Sequence, residues 1–153
     1  MRLFNKRPNF RKVPDDAFVI SPEESEVIRQ IACPKCGRTD GLFYAGSIYE
    51  VGRATDVYRC CNEIHGKVCG QKVYNPYPRP DILWVSDNGK WTIQDEGVSH
   101  TGAVNLQVMD DGMYSNRYTM YADGTVLRDH AQTPGYVDDA VRRILDDMRT
   151  GRQ

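Results

Sequence analysis

The chain has 153 residues, of which 40% are hydrophobic and 27% are charged, and its formal net charge is −1. This composition is that of an ordinary globular chain and is too apolar for a disordered one. No segment approaches the roughly 18 consecutive apolar residues of a membrane-spanning helix, and the opening MRLFNKRP lacks the apolar core of a signal peptide. We therefore expect no membrane partner. A net charge near zero also argues against a protein that coats nucleic acid with its whole surface.

Charge is distributed unevenly along the chain. Residues 14–32 and 81–135 carry net charges of −4 and −5, whereas residues 1–13 carry five basic side chains and no acidic one: Arg2, Lys6, Arg7, Arg11 and Lys12. Clustered cations attract phosphate or acidic protein surfaces, so this basic arm is predicted to dock onto a partner. The alternative is a solvated terminus without a partner.

A helix is predicted after the arm, over residues 21–31. Its start, Ser21–Glu24, combines a serine cap, a proline at the first helical position and a glutamate that closes a capping box. Val27, Ile28 and Ile31 then form an apolar stripe at helical spacing. This helix would lead directly into the first cysteine.

Five cysteines lie close together in the sequence and predict a metal site. The segment from Cys33 to Gly37 is a C-x-x-C-G knuckle, in which two thiolates turn toward one ion and the glycine permits the positive φ of the turn. The second group, Cys60, Cys61 and Cys69, ends in another Cys-Gly pair that is expected to close a second knuckle around a longer loop. Four thiolates favour a closed, tetrahedral Zn²⁺ site of the structural type. Iron is the alternative ion for four thiolates.

Strand geometry bears on the choice of the fourth ligand. Adjacent strand residues face opposite ways, so only one of Cys60 and Cys61 binds the ion easily. We predict Cys61, because it shortens the loop before the last cysteine to seven residues. Cys60 is the alternative, since it leaves a more regular strand, and His65 is a substitute for one thiolate. The predicted ligands are Cys33, Cys36, Cys61 and Cys69.

Other roles for these cysteines fit less well. An odd number of cysteines in a chain without an export signal argues against a disulfide framework. A thioredoxin-like pair needs its C-x-x-C at a strand-to-helix turn, whereas here a predicted helix precedes the motif. Reduced thiols favour a cytoplasmic protein, or one that is assembled in the cytoplasm into a virion.

Residues 33–74 resemble a zinc ribbon, the two-knuckle β-hairpin module of transcription, translation and phage proteins. The segment also resembles the small phage late-gene activators of the Ogr/Delta type, through Tyr58, the cysteine pair, Asn62 and Cys69-Gly70. The resemblance implies a binding or scaffold module, with a phage particle as one candidate assembly. Ribbon strands are predicted at Leu42–Tyr49, Thr55–Cys60 and Lys72–Tyr74.

A second β-rich region is predicted beyond the ribbon. In it, Asn88-Gly89 is typical of a two-residue hairpin turn, which pairs Trp84 with Ile93 and places Trp91 on the same face. Further strands are predicted at Val104–Met109, Met113–Tyr121 and Thr125–Arg128. In the last hairpin, three side chains are expected to lie together: Tyr118, Met120 and Leu127.

A C-terminal helix is predicted over residues 136–149. Its apolar residues recur at helical spacing and are expected to cover one face of the sheet: Val137, Ala140, Val141, Ile144, Leu145 and Met148.

The predicted fold is therefore α+β and has four parts. A basic extended arm occupies residues 1–20, and a capped helix with the zinc ribbon occupies 21–74. A proline-rich connector, NPYPRP, spans 75–80. An antiparallel β-meander with its C-terminal covering helix occupies 81–153.

The sequence offers little support for catalysis. Its three histidines, His65, His100 and His130, lie in separate turns or loops, and it contains no nucleophile elbow, phosphate-binding loop or metalloprotease motif. An ion closed by four thiolates has no water to activate. We expect a non-catalytic protein without a small-molecule substrate, which docks through its arm and ribbon onto protein partners in a larger assembly.

The alternative function is a zinc-ribbon transcription regulator that binds nucleic acid or RNA polymerase. Its contacts would come from the five cations of the arm and from four cations of the ribbon: Arg53, Arg59, Lys67 and Lys72.

Overall fold

The computed structural model of the chain describes residues 12–130 and 132–151. Its secondary structure consists mainly of β-strands in antiparallel sheets, with a long helix near the C-terminal end. The predicted α+β class is therefore confirmed. Within the described ranges, no helix is both long enough and apolar enough to cross a membrane.

The Cα positions divide into two compact units. The first comprises the described residues up to 49 together with residues 53–78, and it holds all five cysteines. The second comprises residues 50–52 together with the described residues from 79 onward. The division between 78 and 79 falls inside the segment 75–80, which the sequence predicts as a connector.

The predicted capping box is present in the first unit. Ser21 Oγ accepts a hydrogen bond from the backbone N–H of Glu24 at 3.2 Å, and the Glu24 carboxylate accepts one from the Ser21 N–H at 2.9 Å. Helix α1 nevertheless spans only Pro22–Ser25, and a single 3₁₀ turn follows at Ile28–Gln30. The prediction of one continuous helix over 21–31 is wrong.

The helix is interrupted at Val27. This residue has φ −120° and ψ 34°, outside the helical region, and its side chain is 45% exposed. Short helices depend on the packing of an apolar face, because their own hydrogen bonds are too few to offset the cost of nucleation. Ile28 and Ile31 pack against the buried core of the unit. The helix is therefore interrupted because only part of its apolar stripe packs against the core.

A three-stranded sheet forms the body of the first unit. Its order is β1-β2-β5, with β1 at Leu42–Glu50, β2 at Gly52–Cys60 and β5 at Lys72–Arg79. A small hairpin joins the last two strands, with β3 at Glu63–Ile64 and β4 at Lys67–Val68. The first two strands begin within a few residues of the predicted positions.

Strand β5 continues through the proline-rich segment that the sequence predicts as a connector. Tyr74 directs its backbone N–H to Phe18 at 2.7 Å and its carbonyl to Ile20 at 2.8 Å, on the side away from β2. Pro76 and Pro78 lie two and four residues further along, so they present their nitrogens to the same outer edge. A proline at an edge removes no hydrogen bond from the ladder, and the strand can therefore extend through both.

The end of the predicted arm packs against this sheet. Val19 forms a parallel bridge with Tyr74, and Ile20 is buried in the core. Val13 and Ala17 pack against a second apolar cluster that contains Tyr74. Lys12 is exposed. The other four arm cations lie outside the described residues: Arg2, Lys6, Arg7 and Arg11.

The second unit contains a five-stranded antiparallel meander in the order β10-β9-β8-β7-β6. Trp84 lies opposite Ile93, which is the predicted register, and both pack with Trp91 in one core. The strands, each paired with its neighbour, are β6 at Ile82–Val85, β7 at Trp91–Val98, β8 at Val104–Asp110, β9 at Met113–Met120 and β10 at Val126–Arg128.

Helix α2, Gly135–Arg149, covers one face of the meander, as the sequence predicts. Its residues Val137, Ala140, Val141 and Leu145 are buried against the side chains of the strands. The strand residues of this core are Trp91, Ile93, Leu106, Val108, Tyr118 and Met120.

The register of the last hairpin differs from the prediction. Leu127 lies opposite Thr119, whereas its neighbour Val126 lies opposite Met120. Alternate strand residues face opposite sides, so Val126 packs against the core beside Met120, while Leu127 faces away and is 55% exposed. The expectation that Leu127 lies together with Tyr118 and Met120 is wrong by one residue of register.

Candidate metal centre

Four cysteine sulfurs converge in the first unit. The Sγ atoms of Cys33, Cys36, Cys60 and Cys69 all lie within 4.8 Å of one another. Sγ of Cys33 is 3.6 Å from that of Cys69, and Sγ of Cys36 is 3.8 Å from that of Cys60. These separations exceed the roughly 2.05 Å of a disulfide bond. They match the edge of about 3.8 Å that a tetrahedron has when its four metal–sulfur bonds are about 2.3 Å long.

The first knuckle is a tight turn closed by backbone hydrogen bonds. The N–H of Gly37 donates to the carbonyl of Cys33 at 2.8 Å, and the N–H of Cys33 donates to the carbonyl of Arg38 at 3.0 Å. Gly37 has φ +76°, in the left-handed region that its position after the second cysteine predicts. The N–H of Lys35 lies 3.4 Å from Cys33 Sγ, so a backbone donor points at the sulfur.

The second knuckle is built on the end of β2 and the end of the β3–β4 hairpin. Cys60 is the last residue of β2, and Cys69 follows β4 directly. The N–H of Gly70 donates to the carbonyl of Cys60 at 2.9 Å, and that of Cys69 donates to Asn62 at 2.7 Å. The longer loop expected between these ligands is thus an ordered hairpin, which brings its two ends together.

Cys60, and not the predicted Cys61, supplies the fourth sulfur. Cys60 is fully buried within the cluster, whereas Cys61 is exposed and its thiol lies 3.7 Å from the carbonyl of Arg59. The Cys61 N–H donates to the carbonyl of Gly41 at 2.7 Å, which fixes the direction of its side chain. The length of the loop does not decide between Cys60 and Cys61, because the β3–β4 hairpin brings the two ends of the loop together whichever of them is the ligand.

His65 lies apart from the sulfur cluster. It occupies the first position of the two-residue turn between β3 and β4, with φ +52°, and Gly66 follows with φ +80°. Two successive positive φ angles define the type I′ turn that suits a tight hairpin. The His65 side chain is exposed at this tip, so the structure does not support it as a substitute ligand.

Apolar side chains cover one side of the sulfur cluster. Cys33 and Cys60 are buried, whereas Cys36 and Cys69 are half-buried. In this apolar setting, a hydrogen bond to a cysteine sulfur is stronger than it would be in water. The surrounding side chains are Ile20, Ile28, Ile31, Leu42, Tyr58 and Val73.

Hydrogen bonding and burial shift the pKa values of two thiols in opposite directions. The backbone N–H of Arg38 lowers the pKa of Cys36 to about 7, against a smaller opposing effect of desolvation. Burial raises the pKa of the Cys60 thiol to about 12. Thiolates are the form that binds metal, so loading of this site would release protons.

Two further residues support the cluster, and one of them was missed in the sequence. The side-chain amide of Asn62 donates to Cys36 Sγ at 3.9 Å. A Cβ atom at Gly41 would overlap that amide, so only glycine leaves room for it. In the sequence, Asn62 stands out only as part of a resemblance and Gly41 carries no signal, because their contact joins residues far apart in the chain.

The four predicted ribbon cations are exposed. Arg53 and Arg59 lie on β2, Lys67 lies on β4 and Lys72 lies on β5. The Arg59 guanidinium lies against Gly70, next to the last ligand. The structure therefore places at least one of these cations beside the metal centre.

Comparison of the chain with protein-family models, with curated proteins and with solved structures finds no match. The cysteine cluster itself is therefore the feature that indicates a metal-binding protein.

Proposed function

We propose that this protein is a non-catalytic, zinc-stabilised interaction protein that docks into a larger protein assembly. The observation that carries the proposal is the convergence of the four sulfurs of Cys33, Cys36, Cys60 and Cys69, which all lie within 4.8 Å of one another. Four protein ligands leave no coordination position for water or substrate, which is the arrangement of a structural ion.

Zn²⁺ fits this donor set. Soft sulfur ligands in tetrahedral geometry select zinc or iron over hard cations such as Mg²⁺ or Ca²⁺. When bound, the ion would link the first knuckle to the ends of β2 and β4. Two of its ligands, Cys33 and Cys60, are themselves among the five buried residues of this core, beside Ile20, Leu42 and Val73. A core this small gains stability from a metal, because it buries little apolar surface of its own.

Exposed aromatic side chains in the first unit support the docking part of the proposal. Phe43 and Tyr44, in β1, are 45% and 60% exposed. The guanidinium of Arg29 lies over the Phe43 ring, 4.5 Å from its centroid. Aromatic and arginine side chains are enriched at protein interfaces and often carry most of their binding energy.

The metal is tested on protein purified under reducing conditions without chelator. Elemental analysis should find one zinc per chain, and chelation should unfold the first unit, as followed by circular dichroism. Iron in place of zinc would appear as visible absorption of the thiolate complex. Protein that folds without any metal would overturn the proposal.

Docking is tested by native purification of the tagged chain from its host. A discrete complex should form with the unaltered protein and be lost in a Phe43→Ala, Tyr44→Ala variant that still binds zinc. Leu127→Ala is the matched control, because this leucine is 55% exposed in the second unit. A monomeric elution with no partner, for both the unaltered and the variant protein, would contradict an assembly role.

A second candidate function, a regulator that binds nucleic acid, is favoured by the exposure of Arg59, Lys67 and Lys72 in the first unit, with Arg59 beside the metal centre. It predicts that binding of duplex DNA weakens with salt. The logarithm of the binding constant should fall with the logarithm of the salt concentration with a slope of about −4 if five arm cations contact phosphates. Binding should weaken on removal of residues 1–13 and on neutralisation of the three ribbon cations. No binding at low salt would reject this function and leave the assembly role in place.

A further inference from the structure

The second unit contains a cavity of about 270 Å³. It lies between the turn that joins β6 to β7 and the first turn of α2, and its lining residues are Trp84, Ser86, Asp87, Asn88 and Tyr136. This volume is near the lower end of small-molecule sites, which begin at about 300 Å³. The cavity therefore suits a compact ligand.

Two aromatic rings form part of its wall. The ring centroids of Trp84 and Tyr136 are 6.5 Å apart, and their planes are inclined by 55°. Trp84 packs against the apolar core and is held by it, whereas the Tyr136 side chain is 54% exposed. The two rings form a tilted aromatic pair, and both side chains line the cavity, so a compact group in it can contact both side chains.

Two side-chain oxygens of the cavity, those of Ser86 and Asn88, are already used in the hairpin turn. Ser86 Oγ donates to Asn88 Oδ1 at 2.7 Å and accepts from the N–H of Trp91 at 3.0 Å. Asn88 Oδ1 also accepts from the N–H of Lys90 at 3.0 Å. These oxygens have little capacity left for the several hydroxyl groups of a sugar.

The remaining charged group is the carboxylate of Asp87. Its side chain is exposed, and within the described residues no ion pair or hydrogen bond engages that carboxylate. The surrounding sequence, residues 81–135, has a net charge of −5. The cavity thus combines two aromatic side chains with a carboxylate that has no ion-pair partner among the described residues.

We propose that this cavity binds a small organic cation of the quaternary ammonium class. Such cations are attracted to the faces of Trp and Tyr rings by the ring quadrupole, and a nearby carboxylate balances their charge. The methyl groups of the cation need no hydrogen-bond partners, which matches the used-up oxygens of Ser86 and Asn88. This site is independent of the metal centre and of the docking role, and its ligand is bound rather than transformed.

The first test is an NMR titration of the full-length, ¹⁵N-labelled, zinc-loaded protein with choline. The indole N–H signal of Trp84 should shift saturably. That of Trp91, which is 8% exposed in the core, serves as the internal control and should stay in place. The neutral isostere 3,3-dimethylbutan-1-ol should bind at least about 10-fold more weakly, because it lacks the charge that the rings and the carboxylate attract.

Variants identify the groups responsible. Asp87→Asn and Tyr136→Leu should each weaken choline binding by about 3- to 10-fold. Tyr121→Leu is the matched control, because this tyrosine is also exposed in the second unit and does not line the cavity. Equal affinity for choline and its neutral isostere, an unchanged affinity in Asp87→Asn, or a saturable response to methyl glucoside in place of choline would overturn the proposal.

Discussion

The hydroxyl of Tyr118 donates a hydrogen bond to the carboxylate of Asp138 at 2.6 Å and so joins strand β9 to the first turn of helix α2. Tyr118 is fully buried. The same carboxylate accepts hydrogen bonds from Arg142 at 2.9 Å and from Arg128 at 3.1 Å. One acidic side chain therefore connects the helix, β9 and β10 at the margin of the apolar core.

This arrangement predicts an acid-dependent loss of stability. Burial favours the protonated form of the Asp138 carboxyl, but the hydrogen bonds from Tyr118 and Arg142 and the charges of Arg142 and Arg128 outweigh it and lower the pKa. A carboxyl whose pKa is depressed in the folded state stabilises the protein above its unfolded value, about 3.9. That contribution is lost as the pH falls through the folded-state pKa.

Asp138→Asn should reduce the free energy of unfolding by about 1.5–3 kcal/mol at neutral pH, since it removes charged hydrogen bonds. Urea unfolding at pH 7 and at pH 3 measures the effect, and the difference between variant and unaltered protein should shrink at the lower pH. Asp139→Asn is the control, because this exposed neighbour lies outside the network. A constant difference at both pH values would contradict the assigned ionisation.

The two adjacent cysteines give the sharpest test of the metal centre. Cys60→Ser should abolish stoichiometric zinc and destabilise the first unit, because the buried cluster loses one of its four sulfurs. Cys61→Ser should keep one zinc per chain and change stability by less than about 0.5 kcal/mol, as expected of an exposed side chain. Elemental analysis of the two variants, purified side by side, decides the ligand. Loss of zinc in Cys61→Ser but not in Cys60→Ser would show that Cys61 is the ligand, as predicted from the sequence.

The contact between Gly41 and Asn62 predicts coupled effects on zinc affinity. Asn62→Ala should weaken zinc binding by about 10-fold, because it removes a hydrogen bond to a ligand sulfur. Gly41→Ala should do the same by displacing the amide. Competition with a chromophoric chelator measures both affinities. In the double variant the second substitution should add little, since the side chain that the new methyl group would meet is gone. Additive losses would show that the two residues act separately.

The last hairpin offers a matched pair of neighbours. Val126→Ala should lower the free energy of unfolding by about 1 kcal/mol, because its methyl groups pack against the core of the second unit. Leu127→Ala should be nearly neutral, although it removes more atoms, because that side chain faces away from Met120. Thermal unfolding of both variants tests the register. The reverse order of effects would place Leu127 in the core.

Much of the fold could be predicted because it rests on local patterns. The capping box, the glycine after the first knuckle and the register of the hairpin around Asn88-Gly89 depend on residues within a few positions of one another, and all three are present. The apolar spacing of α2 likewise specifies which face is buried. In each case the deciding interactions lie within one turn or one strand pair.

Predictions failed where a contact between distant segments decides the structure. The predicted helix over 21–31 is broken because its apolar residues have only part of a core to cover. The prolines after Tyr74 continue a strand because their nitrogens face the outer edge of β5, while β2 pairs with the opposite edge. Neither the partial core nor the position of β5 in the sheet can be read from the local sequence.

The sequence by itself indicated a site of four cysteine sulfurs, because two Cys-Gly turns supply the local geometry that a metal knuckle needs. Only the tertiary structure decided which of Cys60 and Cys61 completes the set. Cys60, at the end of β2, lies on the face of the strand that is turned toward Cys36. Cys61 is held away from the cluster by the hydrogen bond from its backbone N–H to Gly41. A side chain's face is a property of the assembled sheet, since a shift of one residue reverses it without any change in spacing.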